Sequence, residues 1–210
     1  EINLDELETQ IQKAKNEGGE VIVSVMLVNN ETGRIQPIEK LLEMCQYHGV
    51  AFHSDMVQAL GKIPVKLNEW SRSGLTMASF SAHKIGGPPG VGALWVASGS
   101  KVSKLLKGGG QEKGRRSGTE NIYGIAGFGA AAKAVSNWKN HAKNWVQWRN
   151  NFILKLQQVY PEIQVTTQDA LCVDNTISLL LPAVPAQIAV ISMDMEGFAI
   201  SSGAACSSGK

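Results

Sequence analysis

Val21-Ile22-Val23-Ser24-Val25-Met26-Leu27-Val28 is an almost continuous apolar run rich in β-branched residues, the composition of a strand covered on both faces. Pro37 then opens a helix in which Ile38, Leu41, Leu42 and Cys45 recur on one side, with a stop near His48-Gly49. Val50-Ala51-Phe52 reads as the next strand. Strand, helix, strand in that order is a βαβ unit, which demands a parallel pair joined by a right-handed crossover. The expected fold class is α/β, a mainly parallel sheet flanked by helices. Upstream, Leu4, Leu7, Ile11 and Ala14 keep helical spacing until Gly18-Gly19. Downstream, residues 75–80 supply a third strand and residues 91–96, after a tight Gly/Pro turn, a fourth.

Ligands of such sheets gather at the carboxyl ends of the strands. Those ends carry Asn29-Asn30-Glu31, Asp55 and Ser81-Ala82-His83-Lys84. A lysine there is a candidate to form a Schiff base with a carbonyl cofactor, once its surroundings lower a pKa that is ordinarily about 10.4. Asp55 and Gln58, three positions apart, share a side if a helical turn begins at the strand end. A carboxylate beside a pyridine nitrogen keeps it protonated and makes pyridoxal phosphate an electron sink. Asp55 also reads as a simple helix cap; with Lys84 at the next strand end, the cofactor reading leads. His53 and His83 meet no zinc spacing, and no metal is expected.

The rest of the chain sets limits. Its 210 residues are 43% hydrophobic and 18% charged with a net charge of +2, the profile of a folded protein with no broad surface for nucleic acid or an anionic membrane. No apolar run reaches the roughly 18 residues of a membrane span, and Glu1-Ile2-Asn3-Leu4-Asp5 is no signal peptide. Three scattered cysteines, Cys45, Cys172 and Cys206, suit a reducing compartment, so a cytoplasmic location is expected. Residues 121–159 turn helical, with Trp138, Trp145 and Trp148 read as packing residues, and Pro161 ends the run. Residues 176–181 and 198–200 look like strands around a helix between Pro185 and Glu196, the makings of a small α+β domain. The boundary is expected near residue 142, with 1–142 part of a large domain and 143–210 part of a small C-terminal one.

Six segments carry a resemblance: residues 28–33 (Val-Asn-Asn-Glu-Thr-Gly), His53 to Gln58, Ser79 to Lys84, Gly108-Gly109-Gly110-Gln111-Glu112, Arg116-Ser117-Gly118-Thr119, and Ser201-Ser202-Gly203-Ala204-Ala205-Cys206. In that order, over nearly the whole chain, they resemble the cysteine desulfurases, class V aminotransferases of the fold-type I pyridoxal-phosphate enzymes. The resemblance implies pyridoxal 5'-phosphate bound through Lys84, which would later move the substrate's Cα proton. It pairs Asp55 with the ring nitrogen, sets Gln58 and Asn30 on the phenolic-oxygen side, and assigns the phosphate to Ser81 and His83. Thr119 would reach the phosphate of a partner subunit, implying a homodimer, with Lys113, Arg115 and Arg116 in an anion-binding or interface loop. Cys206, in a small-residue loop, would take sulfur from L-cysteine as a persulfide, release L-alanine, and pass the sulfur to an acceptor such as an iron–sulfur scaffold protein. Cys45 and Cys172 lie in apolar patterns and read as buried. Another class V aminotransferase, a selenocysteine lyase or a non-catalytic paralogue are the alternative readings.

Two departures stand out. Met56 and Val57 occupy positions where the family has small residues against the cofactor ring, and Gly86-Gly87-Pro88-Pro89-Gly90 replaces an aromatic and a lysine common after the reactive lysine. The ends read as cut from a longer protein. The family's phosphate-cradling loop and ring-stacking histidine would come before this segment, and its substrate-carboxylate arginine after it. The expectation is an active parent whose 210-residue piece binds cofactor weakly and turns over poorly.

Overall fold

The computed structural model describes residues 1–135, 142 and 144–203. The chain forms two compact units, Glu1–Leu27 with Gln36–Trp138, and Val28–Ile35 with Lys139–Lys210.

The first unit is built on the βαβ pattern. Helix α1 (Leu4–Asn16) starts at Asn3, whose Oδ1 accepts from the Glu6 N–H at 3.2 Å, a side-chain N-cap. Strand β1 (Ile22–Met26), helix α2 (Ile38–His48) and strand β2 (Ala51–Asp55) follow. Helix α2 buries Ile38, Leu41, Leu42 and Cys45, the set its spacing placed on one side, and Gly49 ends it with a left-handed φ of 63°. Next come α3 (Leu67–Arg72), β3 (Leu75–Ser81), a 3-10 turn (Ala82–Ile85) and β4 (Gly92–Val96). The single turn α4 (Gln111–Gly114), with positive φ at Glu112 and Lys113, and helix α5 (Ile122–Val135) complete the unit. Helix α3 has no counterpart in the sequence reading. Six residues with one buried side chain, Trp70, are too few to show a period.

The sheet runs β1-β2-β3-β4. The first three strands are parallel and β4 turns back antiparallel to β3. The expectation that the first strand is covered on both faces fails. Val23 is buried, but Ile22 and Met26 on the opposite face are 55% and 42% exposed. Between β2 and β3 the register shifts at Phe52/His53. There the Thr76 hydroxyl fills the gap in the ladder, accepting from the Phe52 N–H at 2.9 Å and donating to the Phe52 carbonyl at 2.6 Å.

Cys45 sits in this core at 0% exposure, and burial pushes its thiol up to about 11. The thiolate is the reactive form, so iodoacetamide at about pH 8 should leave Cys45 unmodified in the native protein and alkylate it once urea unfolds the chain. Mass spectrometry of the Cys45 peptide reads this; alkylation within minutes in the native protein would show α2 to be loosely packed.

The second unit holds helix α6 (Trp145–Val159), strands β5 (Gln164–Val165) and β6 (Leu179–Leu180), paired antiparallel, and helix α7 (Ala186–Met195). Ile163, Val165, Thr167 and Val173 form its buried centre. Several expectations are corrected here. The strand expected over residues 176–181 contracts to the two residues of β6, and β5 is new. Residues 198–200 are not a strand: Gly197, with φ 82°, turns the chain after α7, and Phe198 is exposed with no pairing strand among the described residues. Trp148 is 62% exposed rather than packed, and Trp138 lies outside the described residues. Cys172 is half-buried, not fully buried, because it sits in an isolated bridge with Arg34. Among the described residues no helix is long and apolar enough to cross a membrane.

Candidate active site

Strands β2 and β3 run parallel side by side, so both release the chain at one end of the sheet, with Asp55 in register with Ser79. Asp55 closes β2, its carbonyl still accepting from the Leu27 N–H at 2.8 Å. Its carboxylate turns onto the next turn, where Oδ1 accepts from the Val57 N–H at 2.8 Å. The chain then coils once: the N–H groups of Ala59 and Leu60 both donate to the Met56 carbonyl, at 3.0 and 3.1 Å. This is the helical turn that the spacing of Asp55 and Gln58 asks for, and a second turn follows through Gly61, with φ 78°, where the Lys62 and Ile63 N–H groups donate to the Ala59 carbonyl at 3.0 and 3.1 Å. Met56 is 0% exposed and so packs into the core instead of standing open at the strand ends; Val57 is half-buried.

Ser81 ends β3 and leads into the 3-10 turn that carries His83 and Lys84, both exposed. The turn closes through the Gly87 N–H on the Ala82 carbonyl at 2.9 Å and a left-handed Gly86. Ser81 Oγ and His83 Nδ1 lie 2.8 Å apart, so hydroxyl and imidazole are already paired. His53 is engaged elsewhere, with Nδ1 2.8 Å from Ser24 Oγ. Helix α5 presses on this turn along a face of small residues. A Cβ at Gly87 would come within 3.2 Å of Ala131 Cβ, one at Gly127 within 2.9 Å of the Pro88 ring, and one at Gly61 within 2.7 Å of Val135.

Sequence reasoning passed over Lys62. It lies four residues after Gln58, half-buried, and its ammonium donates to Gln58 Oε1. Burial lowers its pKa, and the charge of Lys84 lowers it further, which places the two lysines in one electrostatic neighbourhood. The signal was available: a cation four positions from a carboxamide on a turn is a contact pair.

Asp55, Gln58, Ser81, His83 and Lys84 therefore occupy two adjacent strand ends of the first unit. Thr119 belongs to the same unit, exposed on the loop before α5 near Lys113, Arg115 and Arg116, which are exposed too. That loop is tied by Ser117 Oγ to the Gly109 carbonyl at 2.9 Å and by the Gly118 N–H to Gln111 Oε1 at 3.2 Å. No hydrogen bond among the described residues brings Thr119 to the strand ends. Asn30 belongs to the second unit, on a turn that its neighbour Asn29 builds. Asn29 Oδ1 accepts from the N–H groups of Glu31 and Thr32 at 3.0 and 2.9 Å, leaving Asn30 exposed. Cys206 lies outside the described residues.

A phosphorylated pyridine aldehyde needs an amine for its carbonyl, an acid for its ring nitrogen, and donors for its phosphate. Lys84, Asp55 and the Ser81–His83 pair are that donor set, so the residues present fit such a group.

An α/β fold with this arrangement points to one class of enzyme, and comparison with known proteins agrees. The aminotransferase class-V family matches residues 1–209, and the chain belongs to that family, whose members depend on pyridoxal phosphate. Among curated relatives, cysteine desulfurase IscS of Dictyoglomus turgidum is 35% identical over 189 residues, covering 90% of this chain and 47% of the relative. A cysteine desulfurase of Klebsiella pneumoniae is 39% identical over 188 residues, covering 90% and 47%. In structure the chain is similar to a NifS-like protein from Rickettsia africae, with a TM-score of 0.85 and 31% identity over 97% of this chain and 55% of the other. The chain spans about half the length of the curated relatives it matches.

Proposed function

We propose that the chain is part of a pyridoxal-phosphate-dependent cysteine desulfurase that acts on L-cysteine, releases L-alanine and carries the sulfur on Cys206. The observation that carries this reading is Lys84 on the turn after β3, one strand from Asp55 at the end of β2. In this reading residues 1–142 are part of the cofactor domain and 143–210 part of the smaller one.

When bound, the cofactor supplies an electron sink for the carbanion formed at the substrate's Cα. The residues of this chain do the rest. Lys84 Nζ holds the cofactor and then takes the Cα proton. Asp55 keeps the ring nitrogen protonated; its own turn, through Val57, fixes the carboxylate in place. Ser81 and His83 hold the phosphate, and Gln58 and Asn30 meet the phenolic oxygen. Cys206 Sγ, as thiolate, attacks the substrate sulfur. An S–S bond forms while the substrate's Cβ–S bond breaks, its electron pair stays on carbon, and a proton delivered there makes the methyl group of alanine. Thr119 completes the phosphate site of a second copy, so the working form is a homodimer. A cytoplasmic sulfur acceptor, such as an iron–sulfur scaffold protein, then takes the persulfide sulfur.

Cys206→Ala tests the assignment. The variant should still bind pyridoxal phosphate but lose sulfide release from L-cysteine with dithiothreitol, by about 10²-fold or more, because the nucleophile is gone. Unchanged sulfide release would overturn the role of Cys206 as sulfur carrier; a protein that releases no sulfide but transfers amino groups, with or without Cys206, would be an aminotransferase.

A further inference from the structure

Gln58 is ambivalent as a ligand. Its carboxamide presents an acceptor at one end and a two-hydrogen donor at the other, and a ligand meets whichever end the surroundings leave outward. Here the surroundings choose. The Lys62 ammonium has three donors and no acceptor, so the amide atom it meets must be the oxygen. The end left over is Nε2, which has no other partner among the described residues. The two residues are four apart on the turns that follow Asp55, where Gly61 lets the chain approach Val135 of α5 closely. Lys62 is half-buried in the same neighbourhood as Lys84. Two ammonium groups set close together repel, and such an arrangement is favourable when an anionic group sits between them.

We propose that Lys62 is a positioning residue for Gln58: by occupying Oε1 with a donor-only group it presents Nε2 outward, so that Gln58 meets a bound ligand solely as a hydrogen-bond donor, the polarity an anionic ring oxygen requires. This rests on the reading above that Gln58 meets the cofactor's phenolic oxygen. It adds that Gln58 does so only as Lys62 directs it, and that a cation stands behind the amide. A lysine that merely props the turn would stabilise the chain and leave the bound cofactor's properties alone.

The distinguishing measurement is the visible spectrum of the full chain loaded with pyridoxal phosphate. Bound cofactor in its protonated form absorbs at about 420 nm and bleaches as the pH rises. A donor on the phenolic oxygen and a nearby cation both oppose protonation. In Lys62→Gln the bleaching pH should therefore rise by about half a unit or more, and cofactor affinity should fall about fivefold. Lys62→Arg, also donor-only, should restore both. The remaining ionisable groups around these strand ends, namely Asp55 after β2 and His83 and Lys84 on the 3-10 turn, stay in place in every variant. Adding Lys62→Gln to Gln58→Ala should cost less affinity than Lys62→Gln costs alone, because Lys62 acts largely through Gln58. A coloured parent whose Lys62→Gln variant titrates identically, a Lys62→Arg variant that rescues nothing, or additive losses in the double variant would each overturn this inference alone. A parent that never colours would overturn the cofactor reading and this one with it.

Discussion

Lys84→Ala protein, loaded with pyridoxal phosphate and treated with borohydride, is expected to carry no covalent label and to lose turnover of L-cysteine by about 10³-fold or more. The parent protein, treated alike, should carry one phosphopyridoxyl group on the peptide containing Lys84. The effect is large because the proposed function uses one amine twice, as the anchor of the cofactor and as the base for the substrate's Cα proton. Proteolysis and mass spectrometry identify the labelled residue without any appeal to activity. The competing amine is Lys62, whose pKa is lowered by burial and by the charge of Lys84. Geometry decides against it: its ammonium is engaged by Gln58 Oε1, whereas Lys84 is exposed on the turn after β3. A label on Lys62 in the parent would reverse the assignment of the two lysines, and an unlabelled parent would remove the cofactor altogether.

The second large effect is structural. Phe52→Ala should cost about 3–5 kcal/mol, a large share of the roughly 5–15 kcal/mol by which a domain is stable. Phe52 is 0% exposed near the start of β2, a strand flanked by neighbours on both sides. Its backbone is also the point where the β2–β3 register slips and Thr76 repairs the ladder. Removing the ring there opens a cavity beside an irregular pairing that has little means of closing over it. The urea midpoint should fall accordingly with the slope nearly unchanged. A shift of under about 1 kcal/mol would mean that the strand is not the centre of the core.

The strand–helix–strand order and the positions of Asp55 and Lys84 were readable because periodicity and punctuation agree over residues 21–55. The Ile38, Leu41, Leu42 and Cys45 face and its Gly49 stop are the clearest case, since helix period and left-handed cap are both local properties. Long-range facts were not readable. The register slip at Phe52 depends on a threonine from another strand, and the exposure of Ile22 and Met26 depends on what lies over that face of the sheet. In the second unit the apolar run over residues 176–181 has strand composition, but only Leu179 and Leu180 find a partner, Gln164–Val165, whose two residues are too few to signal themselves. Among the site residues, the motif carried Asp55, Ser81, His83 and Lys84. Lys62 escaped because its meaning lies in a contact with Gln58, not in its own identity.

The small-residue seam between α5 and the turn under Lys84 has a consequence for timing. With side-chain atoms standing within 3.2 Å of where a Cβ would be at Gly61, Gly87 and Gly127, the seam is closed to any larger residue at those three positions. Lys84, exposed on the turn beside this seam, has a flexible four-carbon stem on which its amine can travel. Such rotations in an exposed side chain take about picoseconds to nanoseconds. If Lys84 has both of the roles proposed for it, the rotation that takes it from one to the other is therefore far too quick to govern the pace of a catalytic cycle.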